Sequence, residues 1–174
     1  MQARLLLGLT LSALLAVQEK AAPELKEFSS KEGGFTVLLP GTPQEHISKT
    51  GGAEGKEIVN HVFTVKHGSA TYTVAYLIDP ILAKGKPEDS KKWLESASKA
   101  AEATLKGKLL SEKPITLETH PGVEFQLEIP GSGIYRSRAY IVNDRLYQVT
   151  VLGPKELAQG KEADRILDSF KLMK

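Results

Sequence analysis

Glu124 and Glu128 are the nearest approach in this chain to a pair of acid and base carboxylates, and Arg136, Arg138 and Tyr140 the nearest approach to a recognition patch. Two carboxyl groups that act on one bond must stand within about 5–10 Å of each other. Four residues apart on a strand, they stand about 13–14 Å apart, which removes that chemistry. Their spacing suits pairing across a sheet with Arg136 and Arg138, which alternate outward with Tyr140 along one face of a later strand. A salt-bridged, solvated sheet face needs no partner. An Arg/Tyr surface does: arginine offers paired hydrogen bonds to carboxylates, and tyrosine offers rigid contact area at little entropic cost. Arg136, Arg138 and Tyr140 are therefore the candidate partner-binding residues.

The remaining chemistry is sparse. His46, His61, His67 and His120 fall in separate segments without a His-x-His or His-Glu-x-x-His spacing, so no local metal site is expected. His61 falls on an apolar face between Val59 and Phe63 and reads as a core histidine with one hydrogen-bond partner. Gly55-Lys56 ends a glycine-rich run, but Thr50 stands where a phosphate loop needs its first glycine, Glu57 replaces the serine or threonine, and a strand follows instead of a helix. Gly131-Ser132-Gly133 lacks the strand-to-helix turn of a nucleophile elbow, and the chain has no cysteine. No catalytic, cofactor-binding or metal residue is assigned. Trp93 reads as a core anchor rather than a ligand platform.

The elements that must position these side chains are legible from periodicity. Phe35–Leu39 is a strand stopped by Pro40-Gly41-Thr42-Pro43, and residues 50–56 form a loop. Glu57–Lys66 and Ala70–Ile78 form a hairpin; with a turn at His67-Gly68, Phe63 faces Tyr72, His61 faces Val74 and Val59 faces Tyr76. After Asp79-Pro80, a helix capped by Asp89 or Ser90 runs to Leu105, its stripe being Trp93, Ala97, Ala100, Ala101 and Thr104. Strands Lys108–Leu117 and Val123–Ile129 follow, the second burying Val123, Phe125, Leu127 and Ile129. Tyr135–Val151 is a hairpin turning at Asn143-Asp144, which suits positive φ. Ala163, Ile166, Leu167 and Phe170 then mark one face of a terminal helix.

A chain of 174 residues that is 41% hydrophobic and 25% charged suits one domain with a single core. The formal charge is +2 without a block of like charges, which argues against nucleic acid. Arg4 followed by the apolar run Leu5–Val17 reads as a secretory signal, too short to span a bilayer comfortably. Neither Ala16, with Leu14 before it, nor Ala22, with Lys20, forms a good cleavage site, so retention as an anchor is the alternative. Without cysteine, stability in an oxidising compartment comes from packing alone.

This order of elements, with Phe35-Thr36-Val37-Leu38-Leu39-Pro40-Gly41-Thr42-Pro43, Arg138-Ala139-Tyr140-Ile141-Val142, Leu146-Tyr147-Gln148-Val149-Thr150 and Ala163–Leu172, resembles the PsbP-like family. That family contains the extrinsic lumenal protein of photosystem II and exported bacterial proteins, and its fold is shared with a Ran-binding nuclear import factor. The resemblance covers roughly residues 28–172, rests on strand order and soft motifs, and implies an α+β fold: an antiparallel sheet flanked by helices in an αβα sandwich. It carries over no metal or cofactor residue.

The expected object is a leader at 1–22 and a single domain at 28–172, secreted or periplasmic. Its expected role is a non-catalytic binding or accessory module of the cell envelope with a protein partner, no cofactor and no stable membrane span once the leader is removed. The alternative is a small-ligand carrier or enzyme whose site is assembled from loops such as Gly51–Gly55 and Asp79–Pro87. A concave pocket with convergent polar groups favours the alternative, and a flat Arg/Tyr face favours the module.

Overall fold

The computed structural model describes residues 23–51, 55, 57–79, 82 and 87–174. The leader expected at 1–22 lies outside them, as does most of both loops considered for a ligand site. Along the chain the described residues form β1 (Lys26–Ser30), β2 (Phe35–Leu39), β3 (Gln44–Gly51), β4 (Glu57–His67), β5 (Ala70–Ile78), α1 (Pro87–Leu105), β6 (Lys108–Leu117), β7 (His120–Ile129), β8 (Gly133–Val142), β9 (Arg145–Gly153), α2 (Lys155–Ala158), α3 (Lys161–Asp168) and β10 (Lys171–Leu172).

A seven-stranded antiparallel sheet in the order β3-β4-β5-β9-β8-β7-β6 is the frame, and β1-β2-β10 form a small second sheet. Period-two alternation sorts the large sheet into two faces. Phe63, Val65, Tyr72, Val74, Tyr76, Val149 and Val151 point to one side, where β2 and α3 cover them with Phe35, Val37, Leu39, Ile166 and Leu167. Phe35 is fully buried, with the rings of Phe28, Phe63, Tyr76, Tyr147 and Phe170 at 5.5–6.1 Å. On the opposite side Val123, Phe125, Leu127, Ala139, Ile141 and Leu146 meet α1 through Leu94. The α+β architecture, with helices on both faces of an antiparallel sheet, is the one expected.

Several local expectations change. The β4–β5 turn is Gly68-Ser69, with Gly68 at φ 59°, so Phe63 pairs with Val74, His61 with Tyr76 and Val59 with Ile78. That displacement is two residues, an even number, and leaves every side chain on its expected face. Helix α1 begins at Pro87, where the missing N–H costs nothing in a first turn. Its buried positions are Leu94 and Ser98; Ala100 and Thr104 are exposed and Trp93 is half-buried, so the face is rotated from the expected stripe. Phe170 is buried as expected but follows the end of α3. Strands β1 and β3 went unread because each is a polar edge sequence with little alternation. No helix among the described residues is long and apolar enough to cross a membrane.

Candidate functional site

The expected outward patch is covered. Arg136 (8% exposed) and Tyr140 (4%) are buried, and Arg138 is half-buried. The reason lies in matching repeats: two residues along β8 advance about 6.8 Å, and four residues along a helix advance about 6 Å. Asp164 and Asp168 of α3 therefore descend onto the two arginines in register. Arg136 Nη1 donates to Asp164 Oδ1 at 2.7 Å, and Arg138 Nη1 donates to Asp168 Oδ1 at 2.7 Å. Beneath them Glu124, 3% exposed, accepts from Arg136 Nη2 at 3.2 Å and Arg138 Nε at 2.5 Å, with Lys113 Nζ at 3.4 Å. Burial alone pushes the Glu124 carboxyl up. The hydrogen bond from Arg138 and the charges of Arg136, Arg138 and Lys113 overcome that and hold it below its ordinary range.

Tyr140 packs into the aromatic core, stacked on Phe170 at 5.9 Å, and burial raises its pKa. Glu128 stands exposed opposite Ile134 and takes no part in the ladder expected of it. The cluster is a clasp fixing α3 to the sheet, and Arg136, Arg138 and Tyr140 do not present a free surface.

His61 is the core histidine expected, 5% exposed, with Nδ1 2.9 Å from Glu45 Oε1 and its ring stacked on Tyr76 at 4.5 Å. Glu32 adds a second carboxylate 3.8 Å from Nε2. The Tyr76 hydroxyl is buried without a hydrogen-bond partner among the described residues, and burial followed by the charges of Glu32 and Glu45 pushes its pKa up to about 12. His61 stacks on that ring and the Arg145 guanidinium lies over it, 5.8 Å from its centroid, so the ring is held among side chains of this chain. Among the described residues no group of three or more His, Asp or Glu side chains could hold a metal ion.

Concave space lies instead along α1. On one flank a cavity of about 440 Å³ is walled by Leu94, Pro114, Ile115, Pro121 and Val123, with Glu112 at its edge holding the Ser98 hydroxyl. On the other flank a cavity of about 340 Å³ is lined by Trp93, Ala97 and Ala101 of the helix and by Leu77, Ala139 and Leu146 of the sheet. Tyr135 and Gln148 line this second cavity as well. Gln148 Nε2 donates to Tyr135 Oη at 3.0 Å and to Ser137 Oγ at 2.8 Å, and Thr150 continues the row by donating to Ser137 Oγ at 3.2 Å. Trp93, expected to be a core anchor, packs half-buried against the cluster around Leu94 and also stands in the wall of this cavity. A third, polar hollow of about 490 Å³ gathers Glu118, His120, Asp144 and Arg145 at the turns.

Sequence reasoning missed Tyr135 and Gln148. The available signal was the register of the last hairpin, which sets Ser137 opposite Thr150 and Ala139 opposite Gln148 and so collects a polar row on a face otherwise read as apolar. It missed Asp164 and Asp168 too, although their i, i+4 spacing on α3 answers the i, i+2 spacing of the arginines.

Comparison with known proteins bears on the fold. No family model matches the chain, and no curated protein matches its sequence. The solution structure of cyanobacterial PsbP (CyanoP) from Synechocystis sp. PCC 6803 matches over 91% of this chain and 98% of that one, at 12% identity and a TM-score of 0.57. A Pseudomonas aeruginosa protein of unknown function matches over 80% and 90%, at 13% identity and a TM-score of 0.45. The chain has a PsbP-like fold, as the resemblance implied.

Proposed function

We propose that this protein is an exported, non-catalytic binding module of the cell envelope that engages a protein partner along its sheet edge. Arg4 and the apolar run Leu5–Val17 support export. The observation that carries the partner reading is the contrast between the two edges of the large sheet. Strand β6 is guarded by Lys108, Lys113, Pro114 and a register shift between Leu109 and Ser111. Strand β3 has one lysine, no proline and no shift, is exposed over nearly its whole length, and leaves Ile47 51% exposed. Among the described residues nothing pairs its outer edge. An extended segment of a partner can add there, its main chain supplying hydrogen bonds and Ile47 an apolar contact.

The test is purification from the envelope with the wild-type chain and with Ile47→Lys. The variant is expected to lose the retained partner while its unfolding midpoint stays within about 0.5 kcal/mol of wild type. Equal retention by both chains counts against the edge. Intact mass checks export: a chain from the extracytoplasmic fraction lacking its first residues agrees, and recovery only of the full-length cytoplasmic form does not. One observation favours a second reading, that of a small-ligand carrier: the cavity beside Trp93.

A further inference from the structure

We propose that the cavity between α1 and the sheet binds a small, uncharged, planar ring compound bearing a hydroxyl group. This site is independent of β3 and goes beyond the protein-partner reading. Its shape follows from the residues on its walls. Ala97 and Ala101 on the helix and Ala139 on the sheet offer only methyl groups here, so their packing leaves space unfilled between Trp93, Leu77 and Leu146. What remains is a slot of about 340 Å³, within the usual range of roughly 300–1,000 Å³ for small-ligand sites. A volume of that size beside an indole ring suits a flat solute of about two fused rings that can lie against the indole. Trp93 stands in one wall half-buried, with ring surface left for a ligand to cover.

The polar groups select the ligand's chemistry. All the lining side chains are uncharged, so an ionised ligand would lose hydration without gaining a counter-charge. Both amide hydrogens of Gln148 are engaged, by Tyr135 and Ser137. The carbonyl oxygen of Gln148 and the phenolic hydrogen of Tyr135 have no hydrogen-bond partner among the described residues. One acceptor beside one donor is the complement of a hydroxyl group, which gives one hydrogen bond and takes another. A hydrocarbon of the same outline would fill the slot but leave that pair unanswered.

Trp93 supplies the readout. The chain has a single tryptophan, so its indole N–H gives one resonance in a nitrogen–proton correlation spectrum of the full chain. Titration with naphthol is expected to shift that resonance saturably, and the methyl ether of naphthol, which has lost the donor, is expected to bind about tenfold more weakly. Ala101→Leu fills the slot and should abolish the shift, and Ala97→Val serves the same end should the first variant not fold. Ile47→Lys should bind naphthol as wild type does, so loss of the protein partner and loss of this site are read separately. The proposal is overturned by the absence of a saturable shift up to the solubility limit, by equal affinity for naphthol and its ether, or by shifts that survive in both filled variants.

Discussion

The two faces of the large sheet are built on opposite economies. On the side of β2 and α3, rings interlock around Phe35 and the buried charges are paired: Glu124 with two arginines and a lysine, the arginines in turn with Asp164 and Asp168, leaving Arg136 Nε as the one buried N–H of this cluster without a partner among the described residues. On the side of α1, the helix buries Leu94, packs Trp93, Ala97 and Ala101 against the same cluster only in part, and leaves cavities of about 440 and 340 Å³ along its flanks. Large side chains that fill space make a support; small ones that leave space make a receptor. The same strands serve both because alternate residues face opposite ways.

The sharpest way to break this contrast is to remove one ring from each side. Phe170→Ala should cost about 3–5 kcal/mol, because a 3%-exposed ring is taken from a packed cluster. A loss below about 1 kcal/mol on denaturant titration would show that the aromatic side is no better packed than the other. Glu124→Leu comes next, at about 3 kcal/mol, because it leaves Arg136 and Arg138 short of a buried partner. Unchanged midpoints would reduce the clasp to decoration.

Acid tests the same clasp. The folded-state pKa of Glu124 lies below its ordinary value of 4.5, so its contribution is complete above that value and is lost as the pH falls through the depressed one. Wild type should therefore lose stability on acidification below about pH 4.5 more steeply than Glu124→Gln, measured as unfolding midpoints across the acid range. Parallel curves would remove Glu124 from the account.

On the α1 side the effects shrink. Trp93→Ala should cost about 1 kcal/mol, well short of a core tryptophan, since part of the ring is already uncovered. A cost of 3 kcal/mol or more would make Trp93 an anchor after all. Ala101→Leu should raise the unfolding midpoint by up to about 1 kcal/mol by filling the slot. A fall instead would mean that helix and sheet are already in contact there.

Much of the fold was legible because its signals are local. Val123, Phe125, Leu127 and Ile129 alternate, and Asn143, at φ 55°, sits where the last hairpin turns between Val142 and Arg145. Ala163, Ile166 and Leu167 carry the helical spacing on α3. The hidden parts depend on neighbours distant in sequence. Nothing within Lys26–Ser30 or Gln44–Gly51 marks a strand, since each takes its conformation from the ladder of β2 or β4 beside it. Arg136, Arg138 and Tyr140 alternate as an exposed face would, and only the arrival of α3 from thirty residues away, by the Arg138–Asp168 separation, buries them. The cavity at Trp93 was illegible for a related reason: small residues on a helix signal close approach or a gap equally well, and the position of Leu94 decides which.

Strand β10 closes the molecule in a way that reaches beyond its two residues. Thr36 pairs with Lys171, Leu38 N–H donates to Ser169 Oγ at 2.8 Å, and Met173 N–H donates to Gly34 O at 2.8 Å, so the second strand waits on the last. A chain supplied from its amino end can assemble hairpins as it emerges, but the ring cluster around Phe35 lacks Phe170 until that residue, 135 positions further on, has appeared. Loop closure over such a span makes this the late event of folding. The chain should therefore remain threadable until residues 169–173 are free to pair with β2.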